Sequence, residues 1–201
     1  MNPDQNQYSI DYLNQIAPPE KKPAMNNKMF FLVIGGGLLI AIVVGILALS
    51  SGSGGPKEQL QTLSVRLGTL KTISDASQKS IKSGALRNAN SNLQISLSNA
   101  NRDIAEPLKA NGITAEGVSE KVKKAENGEA LTKKLEDARL NAVFDRIYAR
   151  EMGFQLDKTI TLMKTIHNST SSKSLKTFLE TTSTNLDPIK KQFNDFNSEM
   201  N

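Results

Sequence analysis

The stretch LQTLSVRLGTLKTI, residues 60–73, carries an apolar side chain at every third or fourth position. This spacing matches the 3.6-residue turn of an α-helix and predicts an amphipathic helix with one buried face. The buried face consists of Leu60, Leu63, Leu67, Leu70 and Ile73. Because the same periodicity recurs later in the chain, the stretch indicates the fold class of everything that follows it.

Three later segments repeat this helical pattern. Leu86, Leu93, Leu97, Ala100 and Ile104 form a second stripe, and although residues 93–97 also alternate like a strand, no second strand exists to pair with them. A short helix is predicted over residues 114–126, and a long helix over 129–167 that could bend near Asn141. A last helix begins near Lys173, and Pro188 predicts a kink in it. Long helices with short connections predict an all-α, up-and-down four-helix bundle over residues 57–201.

A segment near the amino terminus differs sharply from these helices. MFFLVIGGGLLIAIVVGILAL, residues 29–49, contains 21 residues without a charge. As a helix it is ~30 Å long, which is the thickness of a bilayer core. A cleaved signal peptide is the alternative, but the length of the apolar stretch and the 28 residues before it favour an uncleaved anchor. The sequence therefore predicts a single transmembrane helix at residues 29–50.

The anchor divides the chain into four regions. They are a polar cytoplasmic tail at 1–28, the anchor at 29–50, a Gly/Ser linker at 51–56 and the helical domain at 57–201. Three lysines precede the span and two basic residues closely follow it, which favours a plasma-membrane protein with a cytoplasmic amino terminus and an extracytoplasmic domain. The domain carries 22 basic and 17 acidic residues, and their scattered arrangement predicts no nucleic-acid binding.

The composition excludes several kinds of chemistry. Cysteine is absent and His167 is the only histidine, so thiolate catalysis, Cys-based metal sites and paired-histidine metal sites are excluded. A hydrolase would need a nucleophile and a base that one histidine does not provide. We therefore expect no catalytic residue, no metal and no cofactor.

The segment NAVFDRIYAREM, residues 141–152, places one carboxylate on an apolar face. Asp145 lies on the predicted seam of the long helix, between Ala142 and Ala149. A buried carboxylate is costly unless it is paired, so we expect a structural buried acid with a partner. The candidate partners are a hydroxyl group, a backbone donor, or one of Arg66, Arg87 and Arg102. The alternative interpretation is an acid with a tuned pKa in a binding site.

The same segment resembles a known family. FDRIYAREM is similar to the Phe-Asp-x-x-Tyr signature of a family of uncharacterised bacterial extracytoplasmic domains with a ferritin-like four-helix fold. The matching residues are Phe144, Asp145, Tyr148 and Met152, within a weaker likeness over residues 60–197. Where the family often has histidines, this chain has Gln155-Leu156 and Gln192-Phe193, so the resemblance implies no metal role for them. The tail and anchor resemble single-pass proteins of ultrasmall, host-dependent bacteria.

Small residues line one face of the predicted anchor. Gly37, Ala41 and Gly45 recur at intervals of four and so form a small-xxx-small pattern. Such a face permits close helix–helix packing in the membrane. It predicts a homodimer, although glycine is common in spanning helices generally.

The tail contains a short apolar and aromatic pattern before a Pro-Pro pair. A helix here would place its apolar side chains on one face, as a peptide that docks into a groove requires. These residues are Tyr8, Tyr12, Leu13 and Ile16. They predict docking to an unknown cytoplasmic protein. The alternative is a tail that is disordered or lies on the membrane surface.

Together these features predict a non-enzymatic, single-pass envelope protein. It would be embedded in the lipid bilayer and would present a helical interaction domain outside the cytoplasm. The alternative is a ligand-binding or sensory bundle with a cavity near Asp145 and Tyr148.

Overall fold

The computed structural model describes residues 55–114 and 116–199, which belong to one compact unit, Gly52–Asn201. Helices account for the regular structure of these residues, and no strand occurs among them. The helices are α1 (Pro56–Ser77), α2 (Gly84–Asp103), α3 (Ala105–Ala110), α4 (Glu120–Ala125), α5 (Glu129–Leu140), α6 (Phe144–Ser169) and α7 (Lys173–Glu199). The prediction of an all-α domain is confirmed.

The four long helices α1, α2, α6 and α7 form a bundle in which each packs against two others. Helix α1 contacts α2 and α6, and α7 contacts the same two helices from the other side. Adjacent helices run antiparallel. For example, the Asn101 side chain near the end of α2 donates to the Leu67 carbonyl in the middle of α1, at 3.2 Å. Asn90, earlier in α2, pairs with Ser74, which lies later in α1. The apolar stripes of all four helices meet in one core.

The connection between α2 and α6 corrects the predicted up-and-down arrangement with short connections. Helix α2 ends near the start of α1, because the loop that follows α3 accepts a hydrogen bond from Lys57 Nζ at the Gly112 carbonyl, 3.1 Å away. Helix α6 begins at the opposite end, where Asp145 contacts the α1–α2 loop. Residues 104–143 must therefore travel back along the bundle. Along this path, α4 packs on α1 and α5 packs on α6.

The predicted long helix at 129–167 is two helices. Helix α5 ends at Leu140 and α6 begins at Phe144. Between them Ala142 has a φ of 58°, a left-handed conformation that interrupts a right-handed helix. The Val143 N–H then bonds to the Ala138 carbonyl at 3.0 Å and closes the turn. Because alanine is the best helix former, nothing in the residue itself predicts this break.

Other helix boundaries agree more closely with their predictions. Pro56 occupies the first turn of α1, where its missing N–H is not needed. The short helix predicted at 114–126 is reduced to α4, whose first turn is capped by the Ser119 hydroxyl. Helix α7 continues through Pro188, which lies on its exposed side, and the kink predicted there stays a prediction.

The core confirms the helical periodicity. Leu60, Leu63, Leu67, Leu70 and Ile73 are all buried. In α2, Leu93 and Leu97 are buried while Ile95 between them is 62% exposed. A strand would have placed all three on the same face, so the helical interpretation of this segment is confirmed.

Within residues 55–114 and 116–199, no helix combines the length and the apolar composition that crossing a membrane would require. The predicted span at 29–50 lies outside the described residues. So do its small-residue face (Gly37, Ala41 and Gly45) and the tail residues Tyr8, Tyr12, Leu13 and Ile16.

Candidate functional site

Three residues of the Phe-Asp-x-x-Tyr segment point from α6 into the core. Phe144 is 7% exposed, and Tyr148 and Met152 are fully buried. The rings of Phe144 and Tyr148 stack with centroids 5.6 Å apart, and the Phe193 ring of α7 meets Tyr148 edge-on at 5.9 Å. Such aromatic pairs contribute about 0.5–1.5 kcal/mol each beyond the area that they bury. The segment therefore helps to fix α7 against α6.

The hydroxyl of Tyr148 belongs to a buried hydrogen-bond network, which we call the Asn90 network. It consists of Tyr148, Asn90, Ser74 and Gln78. Tyr148 donates to Asn90 Oδ1, and the Ser74 hydroxyl donates to the same oxygen at 2.6 Å. Asn90 Nδ2 donates to the Ser74 carbonyl at 3.1 Å and to Gln78 Oε1. The Asn90 amide thus uses two donor and two acceptor positions, its full capacity.

The network links three helices through groups that water does not reach. Ser74, Asn90 and Tyr148 all have no exposed surface. Burial raises the pKa of the Tyr148 hydroxyl well above its usual value, and the nearby Ser74 and Ser77 hydroxyls offset this only in part. The hydroxyl therefore stays protonated at neutral pH and acts as a fixed hydrogen-bond donor. Its geometry suits a structural role, because every partner is already committed.

Asp145 lies at the end of the bundle and corrects the prediction of a fully buried acid. It is the second residue of α6 and its side chain is only partly buried. Its carboxylate accepts from the backbone N–H of Ser83 at 2.7 Å and from that of Lys82 at 3.0 and 3.2 Å. The break before Phe144 explains the difference, because it places Asp145 at a helix start instead of mid-seam.

The partner of Asp145 is thus a backbone donor, and the three candidate arginines are elsewhere. Arg66 pairs with Glu126, Arg102 pairs with its neighbour Asp103, and Arg87 is exposed on α2. By accepting from two consecutive N–H groups, Asp145 fastens the α1–α2 loop to the start of α6. Charge-assisted bonds of this kind are about twice as strong as neutral ones.

A surface cavity of about 430 Å³ lies beside Asp145. It is open to solvent, and Tyr148 is not among its lining residues. The lining consists of Ser80, Lys82, Arg139, Ala142, Val143, Phe144, Asp145 and Arg146. One of its three cationic groups, Arg139, is paired with Glu136 Oε2 at 2.8 Å. The predicted cavity near Asp145 therefore exists at the surface, whereas the interior around Tyr148 is filled by the Asn90 network.

A second polar contact fastens the long connection to the bundle. The Arg66 guanidinium of α1 donates to both carboxylate oxygens of Glu126, at 2.6 and 2.8 Å. The Thr69 hydroxyl adds a bond of 2.6 Å to the Glu126 carbonyl. Burial, together with the Arg66 charge, lowers the pKa of the adjacent Lys158. The Arg66–Glu126 ion pair was not predicted from the sequence, because Glu126 lies at the end of a short charged segment and nothing nearby marks it as a partner of α1.

His167 also has a structural partner. Its Nε2 lies 2.7 Å from Glu180 Oε1, so the pair joins the end of α6 to α7. Among residues 55–114 and 116–199, no group of three or more His, Cys, Asp or Glu side chains is arranged to hold a metal ion.

No family model matches the chain, and neither a curated protein nor a solved structure is significantly similar to it. The resemblance carried by Phe144, Asp145, Tyr148 and Met152 therefore stays a prediction.

Proposed function

We propose that the protein is a non-enzymatic, single-pass envelope protein whose bundle is an interaction domain outside the cytoplasm. The apolar segment at 29–50 is its anchor, and the tail at 1–28 docks a cytoplasmic partner. A Gly/Ser linker at 51–56 joins the anchor to the domain. The protein would thus connect a cytoplasmic partner to a surface presented outside the membrane.

One observation carries the proposal. The polar groups that could have formed a reactive centre are engaged in holding the bundle together. The Asp145 carboxylate accepts from the Lys82 and Ser83 N–H groups, and the Tyr148 hydroxyl donates to Asn90. A domain whose interior is occupied in this way interacts through its outer surface, as a scaffold does.

The connectivity supports a relation to ferritin-like bundles. Ferritin-like folds combine four long helices with one long crossover connection. Residues 104–143 form such a connection between α2 and α6. We therefore propose the Phe-Asp-x-x-Tyr family as the relative of this domain, with the metal-binding histidines absent.

Protease accessibility tests the proposed topology. In cells stripped of any wall, added protease should digest the 57–201 domain while the 1–28 tail stays protected. An epitope on each end reports both outcomes in one blot. Protection of the domain until lysis would place it in the cytoplasm and refute the proposal.

The docking function of the tail is tested by a paired substitution. Tyr12→Ala with Ile16→Ala should release the cytoplasmic partner without changing membrane insertion or the melting of the domain. Buried interface anchors commonly contribute about 2 kcal/mol or more each, so the two changes together should weaken partner binding by well over a hundredfold. Asn14→Ala, on the same tail, is the matched control. Equal recovery with all three proteins would leave the tail without a docking role.

A ligand-binding domain is the second candidate, and the cavity beside Asp145 favours it. The cavity has a volume within the range of small-molecule sites and combines apolar and cationic lining residues. Native mass spectrometry of the protein extracted from its own membranes would detect a ligand that copurifies. A bound species that is lost in Arg146→Glu but kept in Arg150→Glu, a neighbouring exposed arginine, would favour this function over the scaffold.

A further inference from the structure

The middle of the outer face of α2, between Arg87 and Arg102, lacks charge. The fourteen residues from Asn88 to Asn101 include no ionisable side chain. By contrast, the connection at 104–143 has 14 charged residues out of 40, and α7 has 8 out of 27. The exposed side chains of this face, which we call the α2 face, are Asn88, Asn92, Ile95, Ser98 and Asn99.

An apolar side chain lies at the centre of the α2 face. Ile95 is 62% exposed, and it is one of three large hydrophobic residues left exposed in the described part of the chain. It lies between Asn92 and Asn99, one turn away on either side. Interface centres are depleted of charge and contain apolar anchors, whereas ordinary solvent-facing helices carry charges. The α2 face therefore has the composition of a contact surface.

We propose that the α2 face binds the same face of a second copy of this chain, with the two α2 helices parallel. In a twofold interface, residues near the axis meet their own copies, so a charge there would face an identical charge. Between Arg87 and Arg102 the α2 face carries no such charge, and Arg102 pairs with Asp103 of its own chain at 2.8 Å. An asparagine amide is both donor and acceptor, so Asn92 and Asn99 can each pair with their own copies. In coiled coils, an asparagine at a core position specifies register and oligomeric state.

The parallel orientation rests on the proposed function, because it assumes a membrane anchor before the bundle. Helix α1 begins at Pro56, at the end of the bundle where α2 finishes. Two copies that enter one membrane from this end have their α2 helices pointing the same way. Confinement to the membrane also raises the effective concentration of the two faces, so a modest contact is enough to pair them.

The absence of cysteine makes a direct cross-linking test available. In the full-length protein in its membranes, Ile95→Cys should form a disulfide-linked dimer under mild oxidation, because disulfides need Cα atoms about 4.4–6.8 Å apart. Phe154→Cys is the matched control, since Phe154 is 57% exposed on α6. We expect at least tenfold faster linking at position 95. Equal rates at the two positions, or no linking at 95, would overturn the proposal.

Two further variants test the chemistry and the orientation of the pair. Adding Asn92→Arg to Ile95→Cys should slow linking at least tenfold, with the melting temperature unchanged because Asn92 is exposed. Unchanged linking would show that the faces do not meet. Asn88→Cys, away from the centre, should link to itself in a parallel pair. If it links only to Arg102→Cys in mixed membranes, the helices are antiparallel and the proposal is wrong.

Fractionation separates this inference from the proposed function. Recovery of the protein in the soluble fraction would refute the anchor and the parallel orientation that it imposes. Ile95→Cys linking above the Phe154→Cys level in that fraction would still show that the α2 faces pair. Membrane recovery without preferential linking at 95 would overturn only the pairing.

Discussion

Replacing Asn90 with leucine is the most informative perturbation of the interior. Asn90 is fully buried, and its amide accepts from Tyr148 and Ser74 and donates to Ser74 and Gln78. Leucine fills a similar space but provides no hydrogen-bonding group. The Tyr148 and Ser74 hydroxyls would then remain buried without their acceptor.

The expected loss of stability follows from these contacts. A buried polar group left without a partner costs about 1–3 kcal/mol, so the two buried hydroxyls together cost about 4 kcal/mol. For a unit of this size the melting temperature should fall by about 12 °C. Tyr148→Phe should cost only about 1 kcal/mol, because Asn90 Oδ1 keeps the Ser74 donor.

A double-mutant cycle on the 52–201 unit distinguishes a network from independent contacts. In the Asn90→Leu background, Tyr148→Phe removes a stranded hydroxyl and should be neutral or stabilising. We therefore expect a coupling of about 2 kcal/mol between the two changes in denaturant unfolding. Additivity within about 0.5 kcal/mol, or an Asn90→Leu variant as stable as the parent, would refute the proposed role of the network.

Three further predictions concern other parts of the bundle. Folding raises the pKa of Tyr148, so above pH about 10 the folded state keeps a proton that the unfolded chain has lost. The free energy of unfolding should therefore fall above pH about 10 by up to about 1.4 kcal/mol per pH unit. The fall should be smaller in Tyr148→Phe, which lacks the hydroxyl. Gly128→Ala should cost about 2–3 kcal/mol in thermal melts, since φ is 73° and a Cβ would lie 2.5 Å from Thr69 Cγ2. The control Gly112→Ala has a similar φ of 65° but open space around it, so it should cost only about 1 kcal/mol. Equal losses of stability in the two variants would contradict the contact between the added Cβ and Thr69. Asp145→Ala should cost about 2 kcal/mol and speed amide exchange at Lys82 and Ser83, whereas unchanged exchange would mean that the carboxylate does not hold the loop.

Much of the fold could be predicted from helical periodicity. Each apolar stripe marks a helix that must bury one face, and the stripes of α1 and α2 correspond to buried residues. The position of Asn90 in the network also had a sequence signal. It lies four residues after Leu86 and three before Leu93, on the buried stripe of α2. A polar residue on such a stripe predicts a buried partner.

Other features depend on packing between distant segments and leave no local signal. The break at Ala142 requires an alanine in a left-handed conformation, which only the tertiary context can impose. That break moves Asp145 from the predicted apolar seam to the start of a helix. The prediction that Asp145 is buried was therefore wrong because the turn at Ala142 was not predicted. The path of residues 104–143 depends on long-range contacts such as Arg66 with Glu126, which periodicity does not encode.

We propose that the Phe144–Met152 segment is structural and that partners bind elsewhere. Cross-linked partner recovery from native membranes tests it most directly, with Asp145→Asn and Tyr148→Phe proteins assayed below their melting temperatures. We predict recovery equal to that of the parent for both variants, and loss of the partner only with Tyr12→Ala and Ile16→Ala. Loss of the partner from a folded Asp145→Asn or Tyr148→Phe protein would contradict the claim and place recognition at this segment.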